Sequence, residues 1–143
     1  MRTRSQLWRA NVGWLGAAQP RKFRADLILA FGSGHVLAET RALHDLQQAN
    51  SQAIIASIST AGEICGESVF DDSIVALAME FESTRVRASA VSVRDGETSD
   101  QVAERLAAEI ATDELAHVIV FSVGLHVNGS GLAFGLSSRL PSH

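Results

Sequence analysis

Short apolar runs set the pattern of this chain. Residues 26–31 (Asp26-Leu27-Ile28-Leu29-Ala30-Phe31), 53–58 (Ala53-Ile54-Ile55-Ala56-Ser57-Ile58) and 117–121 (His117-Val118-Ile119-Val120-Phe121) are largely aliphatic. Such runs suit strands buried on both faces. Each opens at once into small or hydroxyl residues. Gly32-Ser33-Gly34-His35 follows the first, Ser59-Thr60-Ala61-Gly62-Glu63 the second, and residues 122–131 the third. Between the first two runs, Val36, Thr40, Leu43 and Gln47 mark one stripe with Leu46 beside it, which predicts a helix over 36–48. Strand, helix and strand in that order predict a parallel pair with a right-handed crossover.

The remaining pattern adds antiparallel structure and two more helices. Residues 74–82 alternate, with Val75, Leu77, Met79 and Phe81 on one face. Residues 85–93 alternate again, with Val86, Ala88 and Ala90 set against Arg85 and Arg87. The pair predicts an antiparallel hairpin turning at Ser83-Thr84. Thr98-Ser99-Asp100-Gln101 has the form of a capping box. Val102, Leu106 and Ile110 then repeat at helical spacing, with Ala103 and Ala107 beside them. Residues 132–140 predict the first turns of another helix. Residues 1–24 carry no clean period and read as an N-terminal arm anchored by Trp8 and Trp14, with the domain proper over 25–143. The fold class expected is α/β, a mixed sheet with parallel strand–helix–strand units and an antiparallel hairpin, helices packed on the sheet.

Composition narrows the function. The chain has 143 residues, enough for one domain with a real core. A formal net charge of −4 argues against a nucleic-acid or anionic-membrane binder, since phosphate contacts need a basic surface. No apolar run approaches the ~18 residues of a spanning helix. Cys65 is the single cysteine, so no internal disulfide forms and nothing requires an oxidising compartment. Arg2, Arg4 and Arg9 before residues 12–18 faintly resemble a signal peptide, but Gly13 and Gly16 break the apolar run. The expected location is cytoplasmic.

The candidate chemistry sits where the buried runs end. In open α/β sheets, ligands lie at the carboxyl ends of strands. Backbone N–H groups in such loops suit an anion, and Ser, Thr and Asn side chains orient it. The plainer reading of any one loop is a good turn. Catalytic motifs are absent: no Gly-x-Ser-x-Gly elbow, no phosphate loop and no dinucleotide fingerprint occurs. Glu63 is a general base only if desolvated. Otherwise it caps the turn or binds a ligand amine. Cys65 has no basic neighbour in sequence and reads as structural. An enzyme is therefore not expected. The histidines are too scattered for a structural zinc site. His35 and His126 stand in two of the loops and could each serve as an axial haem ligand, the alternative being a hydrogen-bonding loop histidine. Asn128-Gly129-Ser130 matches an N-glycosylation pattern that means only a turn in a cytoplasmic chain.

Two of these loops carry a family resemblance. Residues 59–64 (Ser59-Thr60-Ala61-Gly62-Glu63-Ile64) and 124–130 (Gly124-Leu125-His126-Val127-Asn128-Gly129-Ser130) resemble the two signature segments of the FIST N-terminal domain, and residues 26–33 resemble its first strand and loop. The resemblance spans roughly residues 25–141. It implies an intracellular sensory domain in signal transduction that binds a small ligand, with amino acids proposed. Some relatives are haem proteins that sense nitric oxide and control histidine kinases or cyclic-di-GMP enzymes, which makes haem the alternative cofactor. The expected partners are a small molecule and either a C-terminal signalling domain or a separate kinase or cyclase. The ligand residues implied are Gly32, Ser33, Ser59, Thr60, Ala61, Gly62 and Glu63 on one side, with His126, Asn128, Gly129 and Ser130 on the other. Ile58 stands where the family often has Cys, and Val123 where it often has Asp. The family's domain also continues further than this chain, so a truncated, degenerate and non-binding remnant is the third reading.

Overall fold

The computed structural model describes residues 1–16, 23–39, 41–122, 124 and 127–141, and they divide into two compact units, Met1–Val86 and Arg87–His143. The expected α/β class holds, with a mixed sheet and helices.

In the first unit the aliphatic runs become strands as their β-branched content demands. Strand β1 is Arg2–Arg9 and β2 is Gly13–Leu15. Strand β3 is Leu27–Gly32, followed by helices α1 (Gly34–Glu39) and α2 (Ala42–Ala49) and strand β4 (Ile54–Ser59). A small two-stranded hairpin follows, β5 (Glu63–Cys65) with β6 (Ser68–Phe70), and then β7 (Ser73–Glu80). The main sheet has the order β2-β1-β7-β3-β4, and only the β3–β4 pair is parallel. One face carries Ile28, Ala30, Ile74, Ala76 and Ala78, all buried with Val36, Ala42 and Leu46 of the helices. Ile28 and Ile74 are fully buried, and each contributes about 1.5–3 kcal/mol relative to exposure. The other face is apolar too, with Leu27, Leu29, Phe31, Val75 and Leu77 half-buried. That is why the β3 run is apolar without alternation.

In the second unit, α3 (Ser99–Ile110) and α4 (Gly129–Ser137) pack together around Val102, Ala103, Ala107, Leu132 and Leu136. The Thr98 capping box forms as its sequence requires, with Thr98 Oγ1 accepting from Gln101 N at 3.3 Å and Thr98 N donating to Gln101 Oε1 at 2.9 Å.

Four expectations need correction. Residues 85–93 form no strand. The β7 ladder is already taken on both sides by β1 and β3, so a returning strand has no edge to join. The stripe at Val75, Leu77 and Met79 is the less buried one overall, because the small residues Ala76 and Ala78 face the helices. Residues 117–121 form no strand either, and Ile119 is 62% exposed. The helix expected over 36–48 is two helices, since Arg41 is non-helical at φ −80, ψ 2. The first sixteen residues, read from sequence as an arm without a clean period, carry β1 and β2; β1 presents polar side chains on both faces and pairs along its whole length with β7. Trp8 and Trp14 face each other across β1 and β2 and pack on the first core, and Trp14 Nε1 donates to the Ala42 carbonyl at 3.1 Å.

Candidate functional site

Because β3 and β4 are parallel, both end at one edge of the sheet, and antiparallel β7 begins there. Gly32 lies opposite Ser59 on one side and Ile74 on the other. A Cβ at Gly32 would come within 2.8 Å of Ile74 Cγ1 and of the Ser73 carbonyl oxygen, so only glycine allows this approach. Thr60 N donates to the Gly32 carbonyl at 2.9 Å and fixes the two loops against each other. Ser33 Oγ is buried at this edge and has no hydrogen-bond partner among the described residues. Ser59, Ala61 and Gly62 are exposed.

Glu63 is the exceptional residue of the edge. It is 2% exposed, yet it carries a carboxylate. Its Oε1 accepts from Thr60 Oγ1 at 2.8 Å, and its Oε2 accepts from Ser73 Oγ at 2.7 Å. Among the described residues no cation lies within ion-pair distance of it. Burying a carboxylate without a counter-charge is costly, and two neutral hydroxyls offset only part of that cost. Each carboxylate oxygen keeps lone-pair capacity for a further donor. Ser73 is completely buried and was not singled out by its sequence, which reads as the end of an Asp71-Asp72-Ser73 turn. Only the β7 register reveals it. Asp72 is a second residue that the sequence did not mark. It holds a left-handed φ of 50°, which Asp tolerates, and its Oδ1 lies 3.2 Å from His35 Nε2.

His35, one of the two loop histidines, has its Nε2 3.2 Å from Asp72 Oδ1 and a side chain 58% exposed. His126 and Val123 lie outside the described residues. Among the described residues no group of three or more His, Cys, Asp and Glu side chains is placed to hold a metal ion.

In the second unit, Asn128, Gly129 and Ser130 open α4. Asn128 is its N-cap, with Oδ1 accepting from Gly131 N at 3.0 Å, while Asn128 N donates to Ser99 Oγ at 2.8 Å. Gly129 and Ser130 are exposed in the first turn. Gly131 and Gly135 stand four apart on one face of α4. A Cβ at Gly131 would lie 3.4 Å from Ser99 Cβ, and one at Gly135 would lie 2.6 Å from Ala103 Cβ. Those two glycines serve close helix packing. Nearby, Arg105 Nε and Nη2 donate to the two Glu97 oxygens at 2.7 and 2.8 Å, and Arg94 N donates to Glu97 Oε2 at 2.9 Å. The Arg105 hydrogen bonds, then the Arg94 N–H, hold the Glu97 carboxyl below its usual range, and Glu97 in turn raises Arg105.

A family model of the FIST N domain matches residues 26–143. The chain belongs to the FIST N-domain family. FIST domains are sensory domains of signal transduction. No curated protein and no solved structure matches this FIST domain. Among its described residues no helix is long and apolar enough to cross a membrane.

Proposed function

We propose that this FIST domain senses a small ligand carrying an amino group, an amino acid or a close relative, at the ends of β3 and β4. The observation that carries this reading is the buried Glu63 carboxylate, which among the described residues has two hydroxyl donors and no cation. A ligand ammonium would supply the counter-charge that a buried carboxylate needs. Ser59, Thr60, Ala61 and Gly62 form the rim, and Gly32 and Ser33 the floor, offering hydroxyls and backbone N–H groups to the rest of the ligand. The signal passes in the cytoplasm to a C-terminal signalling domain or to a separate kinase or cyclase.

The test is a thermal-shift screen of the purified chain against the twenty amino acids, repeated with Glu63→Gln. A ligand at a hundred times its Kd stabilises by about 2.7 kcal/mol, which raises Tm by several degrees. The active amino acid should lose at least about tenfold in affinity in Glu63→Gln, because its ammonium would then face an uncharged amide. An unchanged affinity in that variant, or equal binding by the deaminated analogue of the same ligand, overturns the role of Glu63.

A further inference from the structure

The β5–β6 hairpin is held to the rest of its unit in an unusual way. Its two strands pair with each other and form a sheet separate from the main one. A lone two-stranded hairpin is marginal in water, so something else must hold it. Apolar burial contributes little: Ile64 and Val69 face each other across the pair and are 70% and 71% exposed, and only Cys65 and Phe70 are half-buried. Gly66, Glu67 and Ser68 at its turn are exposed as well. What holds it is polar and concentrated at its base. Glu63, its first residue, is clamped by the hydroxyls of Thr60 and Ser73. Phe70, its last, lies under the Arg9 guanidinium at 5.6 Å.

We propose that this hairpin is a strap, latched at the Glu63 carboxylate between Thr60 and Ser73, that opens as one body when the latch breaks. Thr60 belongs to two systems at once. Its N–H ties the β4 loop to Gly32, and its hydroxyl ties that loop to the strap. A disturbance at Ser59 or Thr60 is thereby carried to Glu63 and along the hairpin. Its occupant rests on the ligand reading above. An ammonium would bind the free lone pairs of Glu63 without displacing either hydroxyl, so occupancy holds the strap shut. The empty and occupied domains then differ in how often Ile64 and Val69 swing away from the sheet.

Amide hydrogen exchange on the ligand-free 143-residue chain tests the latch without any ligand. Ser73→Ala and Thr60→Val each remove one hydroxyl, and each should speed exchange over residues 63–70 at least about tenfold, the scale expected for a hydrogen bond to a charged group. Amides of β3 and β7 should keep their wild-type rates. Thr60→Ser retains the hydroxyl and should behave as wild type. Unchanged rates over 63–70 in both variants overturn the latch. So does a uniform rise across the main sheet, which would make the two hydroxyls part of the general core. If an amino acid raises Tm yet leaves 63–70 exchanging as before, occupancy does not close the strap and that coupling is overturned. If none raises Tm, the ligand reading fails while the strap stands or falls on the ligand-free rates.

Discussion

At the scale of single residues, two carboxylates show opposite ways of living with charge. Glu97 has a guanidinium on both oxygens, and Glu63 has only hydroxyls among the described residues. The Glu97 pair makes a pH prediction. Its carboxyl titrates below its ordinary value near 4.5, so the folded state favours the ionised form. That stabilisation is complete above the ordinary value and disappears as pH falls through the lowered one. Melting curves of wild type and Glu97→Gln should therefore differ at pH 7 and converge at the acid end. A constant difference across pH would show that the pair adds nothing through charge. The Thr98 capping box was legible from sequence because its two partners are three residues apart. The Glu63 clamp was only half legible. Thr60 is three residues away, but Ser73 arrives by way of a hairpin and a register that no local pattern encodes.

At the scale of elements, glycines decide how closely segments approach. Gly135→Ala places a methyl 2.6 Å from Ala103 Cβ and 2.8 Å from Asp100 Oδ1. Overpacking of this kind costs about 1–3 kcal/mol, more than a better helix former returns. Denaturant unfolding of that variant should show the loss, and a gain in stability would mean α4 can shift off α3 freely. Gly32→Ala meets Ile74 and the Ser73 carbonyl at 2.8 Å. It should destabilise by a similar amount, about 1–3 kcal/mol by the same measurement, and should also weaken binding at the rim. Sequence reading found β3, β4, β7 and α3 because their apolar spacing is continuous or strictly helical. It failed at 85–93, where both sides of β7 are already taken by β1 and β3. A β-run becomes a strand only when a ladder is open to it, and openness is not written in the run itself. It failed at β1 because Arg2, Arg4 and Gln6 dilute the pattern of a strand whose packing comes from its neighbours; Arg4 lies 4.9 Å over the Phe23 ring.

At the scale of the molecule, the family and the α/β class were readable early, through three short segments in register with the FIST N domain. What those segments implied about ligand residues divides between the two units. Gly32, Ser33 and residues 59–63 converge at one sheet edge of the first. Asn128, Gly129 and Ser130 begin a helix of the second, where capping accounts for Asn128 and close packing for Gly131 and Gly135. Spacing in sequence could not separate these cases, because a glycine that admits a neighbouring strand and one that admits a helix look alike until its neighbour is known.

The central place of β7 also governs the order in which the first unit can be made. Arg2 pairs with Glu80, and β3 pairs with the same strand from its other side. A ribosome adding roughly 5–20 residues per second takes about 4–16 s to travel from one member of that pair to the other. Through that interval β1 and β2 have only each other, and β3 and β4 likewise. Every contact that joins β1 and β2 to β3 and β4 within the sheet runs through β7, and such distant contacts are the kind that slows folding most.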